Sequence, residues 1–223
     1  KIWSYNIRFK MIQKENLSKI KDKLDNNVEI VAVSKTKTVE EIMQIYNQGH
    51  RNFGENKVQE IIEKQKILPK DINWHFIGHL QRNKVKMIVG FVHLIHSVDS
   101  LKLLTEINKR ATKAAKTINC LIQIKIAREE NKYGFDINEI DSVLEYAKNL
   151  KNVNIKGFMG MSTFTDNKEI IENEFSSLKK VFDDKKSHEF RILSMGMSND
   201  YEVAVNNGSN MIRLGSIIFG KRI

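Results

Sequence analysis

Short apolar runs alternate along this chain with longer segments of helical periodicity. The runs "EIVAV" at residues 29–33 and "CLIQI" at residues 120–124 are almost wholly apolar, and polar residues follow each of them. Runs of this kind indicate strands that are buried on both faces. We predict eight strands, each but the last leading into a helix. They are expected at residues 28–35, 52–56, 73–79, 94–99, 119–127, 153–162, 189–198 and 210–216.

Strands that alternate with helices predict an α/β protein with a parallel sheet, and eight such units predict a closed (βα)8 TIM barrel. Residues 5–25 have the pattern of one additional amphipathic helix ahead of the first strand. An open, doubly wound sheet is the alternative, but it would carry a glycine-rich turn where this chain has "SKTKT". We expect residues 1–223 to form a single domain.

Composition excludes several classes of protein. The chain has 37 basic and 27 acidic residues, a net charge of +10, but its lysines are interleaved with glutamates. We therefore expect a solvated basic surface and no nucleic-acid partner, with RNA binding as the alternative. No apolar run approaches the roughly 20 residues of a membrane helix, and the first residues lack a secretory pattern, so we expect a cytoplasmic protein without a membrane partner. A lone Cys120 excludes an intramolecular disulfide and a clustered thiolate metal site.

Function is expected at the C-terminal ends of the barrel strands. Lys35 ends the first predicted strand, and strand alternation puts it on the same face as Val31 and Val33, so its amine would lie at the barrel mouth. An apolar site or a neighbouring cation such as Lys37 favours the uncharged amine, which forms Schiff bases with carbonyl compounds. A solvated lysine is the alternative, and for Lys35 taken alone it is the more frequent case.

Two loops after the last two strands are typical of a phosphate site. "SMGMSND" and "RLGS" follow strands 7 and 8, where barrels often bind phosphate. Ser198 and Asn199 are N-cap residue types that would open the next helix, Gly215 lets the backbone approach a ligand, and Ser216 adds a hydroxyl. Each serine alone could be only a cap or turn residue. The two loops together favour phosphate.

Other polar residues near the mouth have more than one interpretation. Arg213 would either keep a ring nitrogen unprotonated or pair with phosphate or a carboxylate. His75 and His79 share a face but lie roughly 13 Å apart along a strand, so we expect no metal site. Asn56 either caps the next helix or contacts a ligand. Asp99 is expected to cap the helix after strand 4, with Ser100 as the alternative cap.

Eight motifs occur in a characteristic order along nearly the whole chain. They are "AVSKTK", "FGENKVQE", "WHFIGHLQRNK", "SVDS", "LIQIKIAREENKYGF", "GFMGM", "SMGMSND" and "IRLGSIIFG". In this order the chain resembles the pyridoxal 5'-phosphate homeostasis proteins, the YggS/PROSC family. The resemblance implies a single barrel like the N-terminal domain of alanine racemase (fold type III) with pyridoxal 5'-phosphate (PLP) as cofactor. The chain departs from the family pattern at two places: Thr38 replaces a frequent proline, and "GMSTFT" lacks the proline that often follows the strand-6 motif. Both departures concern loop shape and remove no functional group.

The resemblance also implies roles for individual residues. Lys35 would form the Schiff base with PLP, and Arg213 would face the pyridine nitrogen. Phosphate would be held by Ser198 with the neighbouring backbone and by the amides of Gly215 and Ser216. The implied cofactor-binding residues are Lys35, Asn56, His79, Met197, Ser198, Arg213, Gly215 and Ser216.

The function that the resemblance implies is a monomeric, non-catalytic PLP holder. It would keep free PLP low and supply PLP-dependent apo-enzymes. An arginine at the pyridine nitrogen weakens the electron sink, and Tyr133 gives no warrant for a second base, so no catalytic residue is assigned. A weak PLP-dependent amino-acid racemase or lyase is the alternative.

Three further lysines, Lys132, Lys156 and Lys221, suggest other functional roles. A Schiff-base aldolase would place its lysine at the end of strand 6, whereas Lys156 lies near the start of that strand. Lys132 and Lys221 are either a secondary basic landing area for the ligand or solvated surface lysines.

Overall fold

Eight parallel strands close into one barrel. The computed structural model describes residues 17–129 and 133–220, and within them each strand pairs with the next while the first pairs with the last. The predicted (βα)8 TIM barrel is thereby confirmed. The strands are β1 (Glu29–Val33), β2 (Asn52–Glu55), β3 (Asn73–Phe76), β4 (Leu94–Val98), β5 (Ile118–Gln123), β6 (Val153–Met159), β7 (Ile192–Met197) and β8 (Met211–Leu214).

Helices alternate with the strands. Residues 17–23 are helical (α1) and belong to the predicted N-terminal helix, whose residues 5–16 lie outside the described part of the chain. The remaining helices are α2 (Val39–Tyr46), α3 (Val58–Ile67), α4 (Leu101–Lys113), α5 (Ile140–Lys148), α6 (Lys168–Lys185), α7 (Tyr201–Asn206) and α8 (Ser216–Phe219). Contrary to prediction, the last strand also leads into a helix, the one-turn α8.

The helix predicted after β3 is a 3-10 helix, Arg82–Met87, and not an α-helix. Its Val85 carbonyl accepts hydrogen bonds from the amides of both Ile88 and Val89. Because apolar positions three and four residues apart suit either helix type, the sequence pattern does not separate them.

The apolar core has two layers, one inside the barrel and one between strands and helices. Val31, Leu94, Leu121, Met159 and Met211 fill the interior. The larger outer layer includes the alternate residues of the same strands, such as Ala32 and Ile95. This alternation confirms that Val31 faces inward, and it fixes the face on which the chain leaves β1.

All eight predicted strands extend beyond the observed C-terminal strand ends. The difference is two residues at β1, which ends at Val33 instead of Lys35, and four at β5, which ends at Gln123 instead of Ala127. A strand ends where its ladder of hydrogen bonds ends, although the chain beyond it can stay extended and partly buried. The residues that follow the strands therefore form the loops of the barrel mouth.

Four helix starts bear on the local predictions. Thr38 and Glu41 form a capping box on α2. Ser100, one of the two residues proposed to cap α4, accepts a hydrogen bond from the Leu103 amide. The predicted cap of α7 was wrong: the N-cap is Asp200, not Ser198 or Asn199. Asn56 does not cap either, because the N-cap of α3 is Lys57.

None of the helices within residues 17–129 and 133–220 combines the length and apolar character needed to cross a membrane.

Candidate functional site

Lys35 lies in a tight turn directly after β1, half-buried at the C-terminal end of the barrel. Both of its neighbours are anchored to carboxylates. The Ser34 hydroxyl donates to Oε1 of Glu55 at 2.6 Å. Thr36 has a left-handed backbone with φ 64°, and its amide donates to Oε1 of Glu60 at 2.5 Å. The backbone that carries the Lys35 amine is therefore fixed on both sides.

A buried lysine ties these anchors together behind the turn. The ammonium of Lys64 donates to the Ser34 carbonyl at 2.7 Å, to Oε1 of Glu55 at 2.8 Å and to Oε1 of Glu60 at 2.6 Å. Burial raises the pKa of Glu55, and the nearby Lys64 opposes that shift. All three ammonium hydrogens of Lys64 thus have acceptors, and the cluster forms a rigid support for the Lys35 turn.

The other lysines singled out in the sequence lie elsewhere. Lys37, expected as a cation beside Lys35, pairs with Glu41 at 3.0 Å, so its charge is largely compensated. Lys156 lies in the middle of β6. Lys132 and Lys221 lie outside the described residues.

A histidine–aspartate pair lies beyond the C-terminal ends of β3 and β4. Nδ1 of His79 is 2.8 Å from Oδ2 of Asp99, and the Tyr133 ring stacks on the imidazole with centroids 3.9 Å apart and an interplanar angle of 18°. Asp99 therefore binds His79 instead of capping α4, which corrects the prediction. With Nδ1 donating to the carboxylate, Nε2 of neutral His79 carries the lone pair. Asn56 is half-buried just after β2.

The two loops expected to bind phosphate are joined by a hydrogen bond. The Gly215 amide donates to the Ser198 hydroxyl oxygen at 3.2 Å. Within the described chain, no hydrogen bond uses the amides of Ser198 or Ser216. Unpaired amides in this position suit an anion, because each would otherwise have only water as acceptor.

Asp200 holds the first of these loops in place. Its Oδ1 accepts from the Met197 amide at 2.6 Å, and its Oδ2 accepts from the Ser162 hydroxyl at 2.7 Å. The Met197 amide, expected to face phosphate, is therefore already engaged. The Met197 side chain is 38% exposed at the mouth.

Arg213 is buried inside the barrel. One terminal nitrogen donates to the Ser194 carbonyl at 2.9 Å and to the Ser194 hydroxyl at 2.7 Å, and the other donates to the Gly160 carbonyl at 3.0 Å. Burial lowers the pKa of Arg213 to about 10, and Asp200 opposes the shift, so the guanidinium remains a cation at neutral pH. Among the described residues it has no carboxylate partner within salt-bridge distance.

Two histidines extend this cluster, and neither was predicted from the sequence to belong to the site. Nδ1 of His96 lies 3.2 Å from the Ser194 hydroxyl, and Nε2 of His96 lies 2.9 Å from Nδ1 of His75. His96 was overlooked, although a histidine in the buried run "LIHSV" was a usable signal. Lys64 was also overlooked, although it falls on the apolar face of α3 with Ile61.

Comparison with known proteins identifies the family. The alanine racemase N-terminal domain family matches residues 13–222. A pyridoxal phosphate homeostasis protein from Aquifex aeolicus is 38% identical over 203 residues, which cover 89% of each chain. Its namesake from Helicobacter pylori strain J99 is 40% identical over 195 residues, 86% of this chain and 87% of the relative. The chain belongs to the pyridoxal phosphate homeostasis protein family. The resemblance seen in the motifs is confirmed.

Solved structures agree with this family. PipY from Synechococcus elongatus, determined without PLP, is 33% identical with a TM-score of 0.87, covering 94% of this chain and all (100%) of PipY. PipY with PLP bound gives 31% identity and a TM-score of 0.84 over 93% of this chain. An alanine racemase from Clostridium difficile, 17% identical with a TM-score of 0.78, covers 95% of this chain but matches over 57% of its own length. It shares the fold of the homeostasis family.

Proposed function

We propose that this protein binds PLP reversibly at the barrel mouth and takes part in cellular PLP homeostasis and supply. The observation that carries the proposal is the set of groups at the mouth: an amine on a fixed turn, two hydrogen-bonded loops in which the Ser198 and Ser216 amides are unpaired within the described chain, and a buried arginine. Family membership supports it, since relatives are named pyridoxal phosphate homeostasis proteins and PipY has been determined with PLP bound.

The residues present fit this cofactor. When bound, PLP supplies an aldehyde that forms a Schiff base with an amine, and Lys35 is the residue we assign to that bond. Ser198, Gly215 and Ser216 bind the phosphate. The amides of Ser198 and Ser216 are unpaired within the described chain, and the Gly215 amide donates to the Ser198 hydroxyl. Met197 belongs to the proposed phosphate-binding loop. Its own amide does not bind the phosphate, because it already donates to Asp200.

Arg213 explains why the protein would hold PLP without catalysing extensive reactions on it. The guanidinium uses three donor contacts within the protein, which leaves two of its five N–H groups for a ligand. A cation that cannot accept a proton keeps a neighbouring ring nitrogen unprotonated, and this weakens the cofactor as an electron sink. Asn56 and His79 complete our set of cofactor-binding residues.

We infer that the protein is a monomeric, single-domain, cytoplasmic PLP holder. None of its residues acts in catalysis, and it delivers PLP to apo-enzymes. Light scattering tests the monomer, and transfer of PLP to a purified apo-enzyme, measured as its regained activity, tests the delivery.

A weak amino-acid racemase or lyase is the second candidate. The observation that favours it is the His79–Asp99 pair, stacked against Tyr133, because a neutral imidazole with a carboxylate on Nδ1 is a competent proton acceptor. Loss of α-deuterium from labelled amino acids in the presence of the PLP-loaded protein, abolished in His79→Gln, would favour the enzyme. No exchange would favour the holder.

Absorbance spectroscopy tests the central proposal. Wild type incubated with PLP and then desalted should retain a visible Schiff-base band. Borohydride reduction of the imine to a secondary amine should bleach this band and make the bond between PLP and the lysine permanent. Lys35→Ala should lose the band, and mass spectrometry should find reduced PLP on Lys35 in wild type. Lys37→Ala is the matched control, since Lys37 lies two residues away and already pairs with Glu41. A band that survives in Lys35→Ala, or that wild type never shows, overturns the proposal.

A further inference from the structure

Four buried side chains form a continuous hydrogen-bonded chain through the barrel interior. It runs from Arg213 to the Ser194 hydroxyl at 2.7 Å, from there to Nδ1 of His96 at 3.2 Å, and from Nε2 of His96 to Nδ1 of His75 at 2.9 Å. His75, His96 and Ser194 are 0% exposed, and Arg213 is 3% exposed. Its members come from β3, β4, β7 and β8, so the chain crosses the barrel from one side to the other.

The chemistry of the donors fixes the direction of these hydrogen bonds. Arg213 can only donate, so the Ser194 oxygen accepts from it. The Ser194 hydroxyl must then place its own hydrogen, and within the described chain His96 Nδ1 is its remaining partner. His96 is therefore protonated on Nε2 and donates to Nδ1 of His75. His75 in turn carries its hydrogen on Nε2, which is buried and has no acceptor in the described chain.

The opposite direction is less favourable. If His75 donated to His96 and His96 to Ser194, the serine hydroxyl hydrogen would be buried without an acceptor, and the lone pair on His75 Nε2 would be buried without a donor. An unsatisfied buried polar atom is costly, and the reversed chain has two of them where the forward chain has one.

Both imidazoles are neutral at physiological pH. Burial, with His93 adding to it, lowers the pKa of His75 to about 3. Burial also lowers the pKa of His96 well below its ordinary value, and its interactions with His75 and with the Arg213 cation lower it further. A neutral, one-directional chain can bind the guanidinium without repelling its charge.

We propose that Ser194, His96 and His75 are positioning residues that hold the Arg213 guanidinium in one orientation, so that its two remaining N–H groups serve the cofactor ring. This inference rests on the proposed function only for its ligand. The orientation of the chain is a property of the protein alone and is tested without PLP.

The first test is nitrogen NMR of the histidine side chains in protein without cofactor. Long-range 1H–15N spectra distinguish Nδ1–H from Nε2–H tautomers, and we expect His75 and His96 as Nε2–H tautomers at pH 7. Ser194→Ala tests the hydrogen bond between Ser194 and His96, because loss of the serine hydroxyl should shift the His96 Nδ1 signal. An Nδ1–H tautomer at His96 or a charged imidazole at either position overturns the proposal.

The second test measures PLP affinity by equilibrium dialysis. Ser194→Ala and His96→Leu should weaken binding on the order of tenfold, the effect of losing one hydrogen bond to a charged group. His96→Asn should restore most of it, because the amide oxygen replaces Nδ1 as acceptor for the serine. His50→Asn is the matched control: it removes a buried histidine that bonds the Asn52 carbonyl, outside this chain, and should leave affinity unchanged.

These outcomes separate the two proposals. If wild type binds no PLP, the proposed function fails while the tautomers still report on the chain. If wild type binds PLP and both Ser194→Ala and His96→Leu bind it equally well while remaining folded, the positioning role is wrong.

Discussion

The ammonium of Lys64 lies 2.8 Å from Oε1 of Glu55, with both side chains inside the protein and directly behind the Lys35 turn. The lysine side chain is 9% exposed and the glutamate 0%. A buried pair of this kind adds little net stability compared with apolar residues, but losing one partner leaves a buried charge uncompensated. The relationship therefore predicts a large asymmetry between single and double variants.

Lys64→Met should lower the free energy of unfolding by about 3–5 kcal/mol, because Glu55 and Glu60 would then face each other without a cation. Adding Glu55→Gln should recover a substantial part of the loss, since it removes the buried charge. Urea unfolding followed by circular dichroism measures both. Lys66→Met, an exposed change on the same helix, is the control and should stay within about 0.5 kcal/mol of wild type. Equal losses for the single and double variants would contradict the pairing.

The residues that we propose to bind the cofactor were predictable because their signals in the sequence are local. Lys35 at the end of an apolar run, and the two glycine- and serine-containing loops, lie where a (βα)8 barrel puts its mouth. Strand alternation also assigned Lys35 to the face of Val31, which lies inside the barrel. Two strongly periodic signals, apolar strand runs and helical spacing, were enough for the fold.

The supporting residues were not predictable in the same way, since their partners are remote in sequence. His96 bonds Ser194, 98 residues away, and Lys64 bonds Ser34, 30 residues away. A buried polar residue is visible in the sequence as an interruption of an apolar pattern, but its partner emerges only when the barrel closes. Asp99 shows the same limit: as a cap it would act locally, yet it binds His79.

Acid should destabilise the protein through its buried histidines. Burial lowers the pKa of His50 to about 4 and that of His75 to about 3, whereas in the unfolded chain histidine titrates near 6.5. Between these values the unfolded state binds more protons, so stability is complete above about pH 6.5 and falls as the pH decreases, by up to about 1.4 kcal/mol per pH unit for each histidine.

Urea unfolding at pH 7.0, 6.0 and 5.0 measures this slope. In His50→Asn, the free energy of unfolding should decrease less steeply as the pH falls, and the difference should equal the contribution of one histidine. The substitution removes one of the groups that bind a proton on unfolding. His188→Asn, at an exposed position, should follow the wild-type slope. If His50→Asn keeps the full wild-type slope, His50 is not held neutral in the folded state.

The end of α4 contains a strained residue that can be improved. Ala115 has φ 50° and is the left-handed residue of a Schellman motif. The Lys116 amide donates to the Ala111 carbonyl at 3.0 Å, and the Ala115 amide donates to the Thr112 carbonyl at 3.1 Å. Ala115→Gly should raise the free energy of unfolding by about 1 kcal/mol, because glycine adopts this conformation without a Cβ clash. Ala114→Gly, at φ −89°, should lower it by about 0.5–1 kcal/mol. Thermal unfolding of both variants checks the sign.

Two glycines of the proposed phosphate loops should respond to alanine in opposite ways. At Gly215 an added Cβ would lie 3.5 Å from the Val33 Cβ, an ordinary contact. At Gly196, with φ +92°, it would lie 2.6 Å from the Ala204 Cβ and 3.0 Å from the Tyr201 Cα. We expect Gly215→Ala to fold with nearly wild-type stability and Gly196→Ala to lose about 1–3 kcal/mol or more from strain and overpacking.

The same pair separates folding from binding. Because Gly215→Ala narrows the mouth beside Val33 without disturbing the barrel, any loss of PLP affinity must come from the space that the ligand needs, and we expect on the order of tenfold or more. Gly90→Ala, where nothing lies within 4 Å of the added Cβ, should change neither stability nor affinity. Fluorescence titration with PLP and thermal unfolding give both quantities for each variant. Wild-type affinity in Gly215→Ala would mean that the phosphate does not approach this loop, and Lys35 would then have to capture its ligand from another direction.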